Sequence, residues 1–316
     1  MAEVSAAFAE ALRREDLDAL MEIPKAERHT HTGLAGNPKF VFKRTGVWIQ
    51  PLRKPLASMD EMHRWVGRHI GERFGDTAGE RLLIEACFEQ AARDGIRALW
   101  TGEDVWACDA LFGGDITALA GALLDAKQAY APDIELHMQV GFSRHCSIEA
   151  LQRWAEPFFA HGGFDCVDLY GDEGAQPIEA FVPLYRQAKA LGMRLRAHVG
   201  EWGEAQDVVR AVEALELDEV QHGIAAARDP SAMRFLADHR IRLNICPTSN
   251  LMLGRVAGLR EHPIRKLYDA GVRVSIGSDD ALVFGSTLSQ EYMKLHQCGL
   301  FTAEELDAIR VDALSV

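Results

Sequence analysis

The sequence predicts an α/β fold in which eight parallel strands, each followed by a helix, close into a barrel. Three observations point there. From Ile96 onward short strand-like runs alternate with helix-compatible segments, and one further run, AERHTHTG, precedes them to make eight. Nearly every run ends in a cluster of polar residues, as expected where strands of such a barrel deliver side chains to one mouth. The 316 residues also fit one barrel, since these folds reach about 250 residues or more as a single unit.

In order along the chain, residues 1–22 have the pattern of an amphipathic helix, with Phe8, Leu12, Leu20 and Met21 on its apolar side, suited to packing on the barrel wall. Pro24 ends it, and the first strand follows. His29 and His31 stand two apart there, so a strand projects both to the same face. Between Gly36 and Met59 the chain carries Lys39, Lys43, Arg44, Arg53 and Lys54 and no acidic residue, with Phe40, Phe42, Trp48 and three prolines interspersed. That composition reads as an ordered loop lying over something rather than as a linker. Helical periodicity returns from Asp60 to Arg93, with Gly71, Gly75 and Gly79 as expected breaks, so residues 36–93 form a lid-like insert after the first strand.

The seven later strands begin near Ile96, Ile134, Phe164, Arg194, Asp218, Ile241 and Val272. Helices are expected between them, among others at Ile178–Leu191, Ala205–Leu215 and Pro230–His239. A last helix spans Ala303–Arg310. The whole is read as one TIM-type (β/α)8 barrel domain over residues 1–316.

A formal charge of -13 disfavours non-specific attraction to nucleic acid or anionic membranes and leaves a small-molecule substrate open. Charged residues punctuate the N-terminus, no segment is apolar for long enough to span a bilayer, and the six scattered cysteines include no Cys-x-x-Cys pair. A cytoplasmic protein with reduced thiols is expected. Oligomeric state is not legible.

The chemistry centres on Arg194–Glu201, RLRAHVGE, where His198 and Glu201 close a strand. His29, His31, His198 and Asp279 offer three imidazoles and a carboxylate from three strand ends, a set that suits a catalytic zinc or a related ion with one position left for water. Glu201 and His222 are placed to manage protons. Each residue also has a plain reading: a solvated strand-end histidine, a buried histidine satisfied by backbone, an aspartate capping the next helix. The convergence of all of them on strand ends favours the site.

HTHTG, HVGE, QHG, CPTSN and SDDALVFGSTLSQEY together resemble the ordered motifs of the adenosine deaminase family within the metal-dependent amidohydrolase superfamily. The likeness runs from about Pro24 to the C-terminus. It implies a metal held by His29, His31, His198 and Asp279, with Glu201 protonating a ring nitrogen and His222 orienting the attacking hydroxide. Asp279 would double as the base, Asp280 would contact another ring nitrogen, and the Gly171 backbone would hydrogen-bond the ring edge. Zinc is the implied metal, while iron, manganese and cobalt suit the same donors. The signatures of base-editing zinc deaminases are absent, so nucleic acid is not the expected substrate.

Three departures stand out. Thr32 and Gly33 replace the Leu-Asp that follows His-x-His in nucleoside-acting members, whose Asp helps hold the ribose; Gln221 replaces a Gly and Ala281 a Pro. The chain also stops soon after its last helix, so a terminal helix of the family is expected to be missing. The expected function is hydrolytic deamination of an aminopurine or related heterocycle. Alternatives are hydrolysis of an amide or ester-like bond and a non-catalytic metal- or purine-binding barrel.

Minor candidates complete the reading. The basic stretch could recognise an anionic substituent, and His63 adjoins it within reach of the pocket. Trp100, Trp106 and Trp202 are pocket lining or packing; Ser249 and Asn250 are a turn and helix start with a pocket role open; the other histidines, His262 among them, are surface or packing residues.

Overall fold

Eight strands lie parallel in the order β1 to β8: β1 Lys25–His31, β2 Ile96–Asp104, β3 Glu135–Ser143, β4 Cys166–Tyr170, β5 Arg194–Val199, β6 Glu219–His222, β7 Arg242–Ile245 and β8 Arg273–Ile276. The computed structural model describes residues 2–315. The Asp279 N–H donates to the His29 carbonyl at 3.2 Å, and the Thr30 hydroxyl donates to the Asp279 carbonyl at 2.7 Å, so the end of β8 returns to β1. The expected (β/α)8 barrel is what the chain forms.

The helices lie where the apolar periodicity puts them, with local differences. The N-terminal segment is two helices, Ala2–Arg13 and Leu17–Met21, because Glu15 turns left-handed (φ 54°) and Asp16 caps the second through the Ala19 N–H. Pro38–Thr45 forms a helix inside the stretch read as loop, with Asn37 capping it and Pro38 at its first position. In the helical region that follows, only Gly75 marks a break. Gly71 lies within continuous helical backbone and Gly79 in the first turn of Thr77–Arg93. Glycine at 75 and 79 has a steric reason: a Cβ there would stand 2.4 Å from the Gly71 and Phe74 carbonyl oxygens, respectively.

A large apolar layer joins the barrel's outer face to the surrounding helices, from Phe8 and Leu12 through Val140, Phe158 and Leu184 to Leu306. Inside the barrel the lower storey is charged. Glu219 is buried among Arg28 (2.9 Å), Arg196 (2.8 Å) and Asn244 (2.9 Å), and the Arg28 and Arg196 guanidiniums cover the Trp100 ring. The last helix, Ala303–Leu314, sits against this end: the Ala313 carbonyl accepts from Arg28, and Arg310 donates to the Pro24 carbonyl.

One irregularity in β1 sets the storey above. Glu27 pairs with Leu99 and Thr30 with Thr101, so two residues, Arg28 and His29, stand opposite the single Trp100. This bulge lets consecutive side chains face the barrel interior. Below it Ala26 and Arg28 point inward; above it His29 and His31 do.

A second apolar cluster roofs the mouth. Leu253, Val283 and Phe284, from the loops after β7 and β8, meet Leu34, Trp202, Leu52, Leu56, Met62, Trp65 and Val66. The insert is tied down by Leu52 N–H to the Val283 carbonyl and Leu56 N–H to the Met252 carbonyl. Trp202 thus packs under the insert, Trp100 lies in the lower storey, and Trp106 is exposed. Among the described residues no single helix is long and apolar enough to cross a membrane. All six cysteines are free.

Candidate active site

The carboxyl ends of β1, β5, β6 and β8 bring the predicted residues into one cavity. His29 Nε2 and His31 Nε2 lie 3.6 and 3.7 Å from Asp279 Oδ1, and His222 Nε2 lies 3.7 Å from Asp279 Oδ2. One ligand atom each from His29, His31 and His198 falls within 4.8 Å of the others, and His31, Asp279 and Asp280 meet the same limit. His29, His198, His222, Asp279 and Asp280 are buried. His31, 23% exposed at its side chain, marks the side on which the cavity opens.

The orientation of these rings follows from what holds their far nitrogens. His29 Nδ1 faces the Asn244 carbonyl at 3.3 Å, which makes it the protonated nitrogen and leaves Nε2 a bare lone pair. That Nε2 is buried and has no hydrogen-bond partner. His198 Nδ1 is held by Asp168 at 3.2 Å, turning its own Nε2 inward. Burial first, and the neighbouring imidazole of His198 second, push the pKa of His29 down to about 3 and of His31 to about 4. His198 falls to about 4, mainly through burial. All three are neutral at physiological pH, the form in which an imidazole ligates metal. An orphaned buried nitrogen, three neutral imidazoles and a carboxylate at coordination reach fit a divalent cation.

Two other groups lie near this centre. Cys246 is within reach of His29 and His222, and burial raises its thiol pKa well above the ordinary value. The Asp280 carboxyl is likewise raised well above its ordinary value, by burial and then by Asp279 and Glu201.

Glu201 is buried beside His222, with Oε1 3.4 Å from His222 Nδ1. Burial, then Asp279 and Glu173, raise its pKa well above the usual carboxyl range. The shift favours the protonated form, which a general acid needs. Its backbone is fixed by Glu173, whose carboxylate accepts from the N–H groups of Gly200, Glu201 and Trp202 at 2.7–2.9 Å.

His222 (φ 61°) and Asp279 (φ 58°) both adopt the left-handed conformation. For residues with a Cβ this costs of order 1 kcal/mol or more each. It turns their side chains into the mouth at the last residue of β6 and in the loop after β8. Gly171, at the end of β4, has φ 97° and lies against His145, where a Cβ would stand 3.3 Å from the ring. His63 packs against the same His145 ring, at 5.0 Å between centroids, and so reaches the Gly171 loop indirectly.

Asp168 and Glu173 are supporting residues that the sequence reading did not single out. Asp168 stands two positions before Tyr170 on β4, a buried carboxylate in a strand, and that inward parity was the available signal. In the basic stretch, Arg44 is engaged with Glu85 (2.6 Å) and Tyr130 (2.8 Å), and Arg53 donates to Gln50.

A barrel mouth that gathers three inward imidazoles, the Asp279 carboxylate and a buried glutamate has the donor set of a metal-dependent hydrolase. The model of the adenosine deaminase family matches residues 112–316. A putative adenosine/adenine deaminase of Treponema pallidum (strain Nichols) is 37% identical over 290 residues, covering 91% of this chain and 97% of that protein. An adenine deaminase of Cupriavidus taiwanensis is 30% identical, covering 96% and 86%. The chain belongs to the adenosine deaminase family and is a hydrolase acting on C–N bonds. Among solved structures, an adenine deaminase from Arthrobacter aurescens superposes with TM-score 0.76 at 22% identity, over 93% of this chain and 94% of that one. A zinc-bound amidohydrolase from Burkhoderia ambifaria gives 0.77 at 21%, over 97% and 88%. These last two speak for the fold.

Proposed function

We propose that the chain hydrolytically deaminates an aminopurine, with adenine as the favoured substrate, and that zinc is its metal. The observation that carries this reading is Glu201: a buried carboxyl, biased toward its protonated form, beside His222 and across from Asp279, placed to protonate a ring nitrogen. The names of the relatives point to adenine and adenosine. Gly33, where nucleoside-acting members carry an Asp, favours the free base.

His29, His31, His198 and Asp279 would hold the ion. When bound, it supplies the Lewis acidity that activates water near neutral pH. Asp279 would take a proton from the attacking water, and His222 Nε2, 3.7 Å from Asp279 Oδ2, would orient the attacking oxygen. Glu201 gives its proton to the ring nitrogen adjoining the carbon under attack. Asp280 and the Gly171 backbone grip other edges of the ring. A C–O bond forms, the exocyclic C–N bond breaks, and water plus amine become a ring carbonyl plus ammonia. Residues 36–93 act as the lid that keeps bulk water from the ring, through the apolar roof described above. The substrate is a small molecule, and neither nucleic acid nor a membrane takes part.

The test is ammonia release from adenine, adenosine and other aminated heterocycles, with metal analysis of the same preparation. Adenine turnover, loss of activity on chelation with recovery on adding zinc, and a fall of roughly 100-fold or more in kcat for Glu201→Gln are expected. Acid release from amides or esters without ammonia would overturn the reading in favour of the amidohydrolase alternative. A metal-loaded protein inert to the whole panel would favour a binding barrel. One observation favours the nucleoside as a second reading: the Glu80 carboxyl approaches Gly33 so closely that a Cβ there would be 3.1 Å from its oxygen. A kcat/KM for adenosine above that for adenine would decide for it.

A further inference from the structure

Beneath Glu201 and His222 a chain of hydrogen bonds runs from the protein backbone to both side chains. The Ile264 N–H donates to His262 Nδ1 at 3.1 Å. A backbone N–H can only donate, so His262 Nδ1 accepts and its proton resides on Nε2. His262 Nε2 lies 3.2 Å from Asn250 Oδ1, which fixes the amide: its oxygen faces His262 and its NH2 faces the site. The two hydrogens of Asn250 Nδ2 then go to Glu201 Oε1 at 2.9 Å and to His222 Nδ1 at 3.2 Å. Every direction in this chain is forced by the first donor.

Two consequences reach the reacting groups. His222 Nδ1, as an acceptor, carries no proton, so His222 is the Nε2–H tautomer and its donor points toward the Asp279 side of the cavity. Its 3.7 Å separation from Asp279 Oδ2 is too long for a hydrogen bond, which leaves that donor free for another oxygen. Glu201 Oε1, already receiving the amide, is disfavoured as the site of the carboxyl proton, which therefore sits on Oε2.

We propose that His262 and Asn250 are positioning residues of the deamination, setting the tautomer of His222 and the oxygen of Glu201 that carries the transferable proton. This rests on the deaminase reading above for its kinetic consequence, while the tautomer itself does not. Neither residue touches the ligand set: Asn250 is wholly buried in the helix Pro247–Met252, and His262 is buried beneath it. Burial holds His262 neutral, with its pKa pushed down to about 3, so the relay does not switch over the physiological range. If Asn250 lost its partner, its amide could rotate and present oxygen to Glu201 and His222, reversing both assignments.

The test uses the metal-loaded protein. In His262→Phe, kcat on the best amine substrate falls roughly 10- to 100-fold, as for removal of other orienting partners, with KM within about threefold. His262→Gln, whose amide can donate to Asn250 Oδ1, recovers most of that loss. Asn250→Asp, which cannot donate to either partner, loses as much as His262→Phe or more. Independently of any substrate, NMR of isotope-labelled histidine shows His222 protonated on Nε2 in the wild-type protein and mixed tautomers in Asn250→Ala. The proposal is overturned if wild-type His222 carries its proton on Nδ1. It is equally overturned if His262→Phe folds with unchanged kcat, or if His262→Gln is as impaired as His262→Phe. Should His262→Phe not fold, Asn250→Asp and the wild-type tautomer decide; should no amine be turned over, the tautomer alone does.

Discussion

Replacing Glu219 by Gln removes a carboxylate buried inside the charged lower storey of the barrel. The group is buried and pairs with Arg28 at 2.9 Å, Arg196 at 2.8 Å and Arg194 at 3.3 Å. Burial alone would raise its pKa, but Arg196 and then Arg28 outweigh it and hold the carboxyl at about 2, against an ordinary 4.5. Because the folded value is the lower one, the stabilisation is fully present above 4.5 and disappears as pH falls through 2. Ionisation at these two values corresponds to about 3 kcal/mol at neutral pH. Arg28 is drawn the opposite way, to about 9, since burial of its guanidinium exceeds the pull of Glu219. The cluster as a whole is therefore worth less than the share of Glu219. Removing the carboxylate alone still strands buried guanidiniums, for which a loss of about 3–5 kcal/mol is typical. At about 2 °C per kcal/mol for a chain of this size, Glu219→Gln lowers Tm by roughly 6 °C or more at pH 7. Thermal melts of both proteins at pH 7 and pH 5 measure it. A gap under about 1 °C, or one that closes between those pH values, would refute the reasoning, since the wild-type carboxyl must stay ionised throughout.

Asp168→Asn weakens the grip on His198 Nδ1 and lowers metal affinity roughly 10- to 100-fold, read by competition with a chromogenic chelator while the melting curve stays within a few degrees. Gly171→Ala forces a Cβ into a positive-φ position beside His145; a rise in KM of about tenfold is expected from a strain of order 1 kcal/mol or more, and an unchanged KM would remove Gly171 from the substrate's surroundings. Arg44→Ala leaves kcat/KM within about twofold, because its guanidinium is engaged with Glu85 and Tyr130 and such exposed pairs contribute little. A larger drop would return the basic stretch to substrate recognition.

Much of this molecule is written locally. His29 and His31 share a face because they are two apart, and HVGE, QHG and SDD sit at strand ends because turns follow them. What resisted reading depends on partners distant in the chain. Arg194 and Arg196 look like interruptions of a strand until Glu219 and Asn244 are placed opposite them. Asp168 is one acidic residue among several in FDCVDLYGDE, and only the His198 ring gives it a task. The helix Pro38–Thr45 is short and basic, and it is held by the apolar contacts of Val41 and Phe40 with Leu83 and Ala86 rather than by its own propensity. His262 resembles any other histidine in sequence; its distinction lies in the Ile264 N–H and the Asn250 amide.

The doubled residue in β1 also separates two design problems that one strand would otherwise entangle. A regular strand keeps a single parity from end to end, as β5 does with Arg196 and His198, and would offer one inward position opposite Trp100 where β1 has two. Here the phase changes between Arg28 and His29, and each tier has its own series. Deleting one of the pair would restore plain alternation and leave a single inward side chain to serve both tiers: without Arg28 the floor loses a guanidinium, and without His29 the seat loses an imidazole.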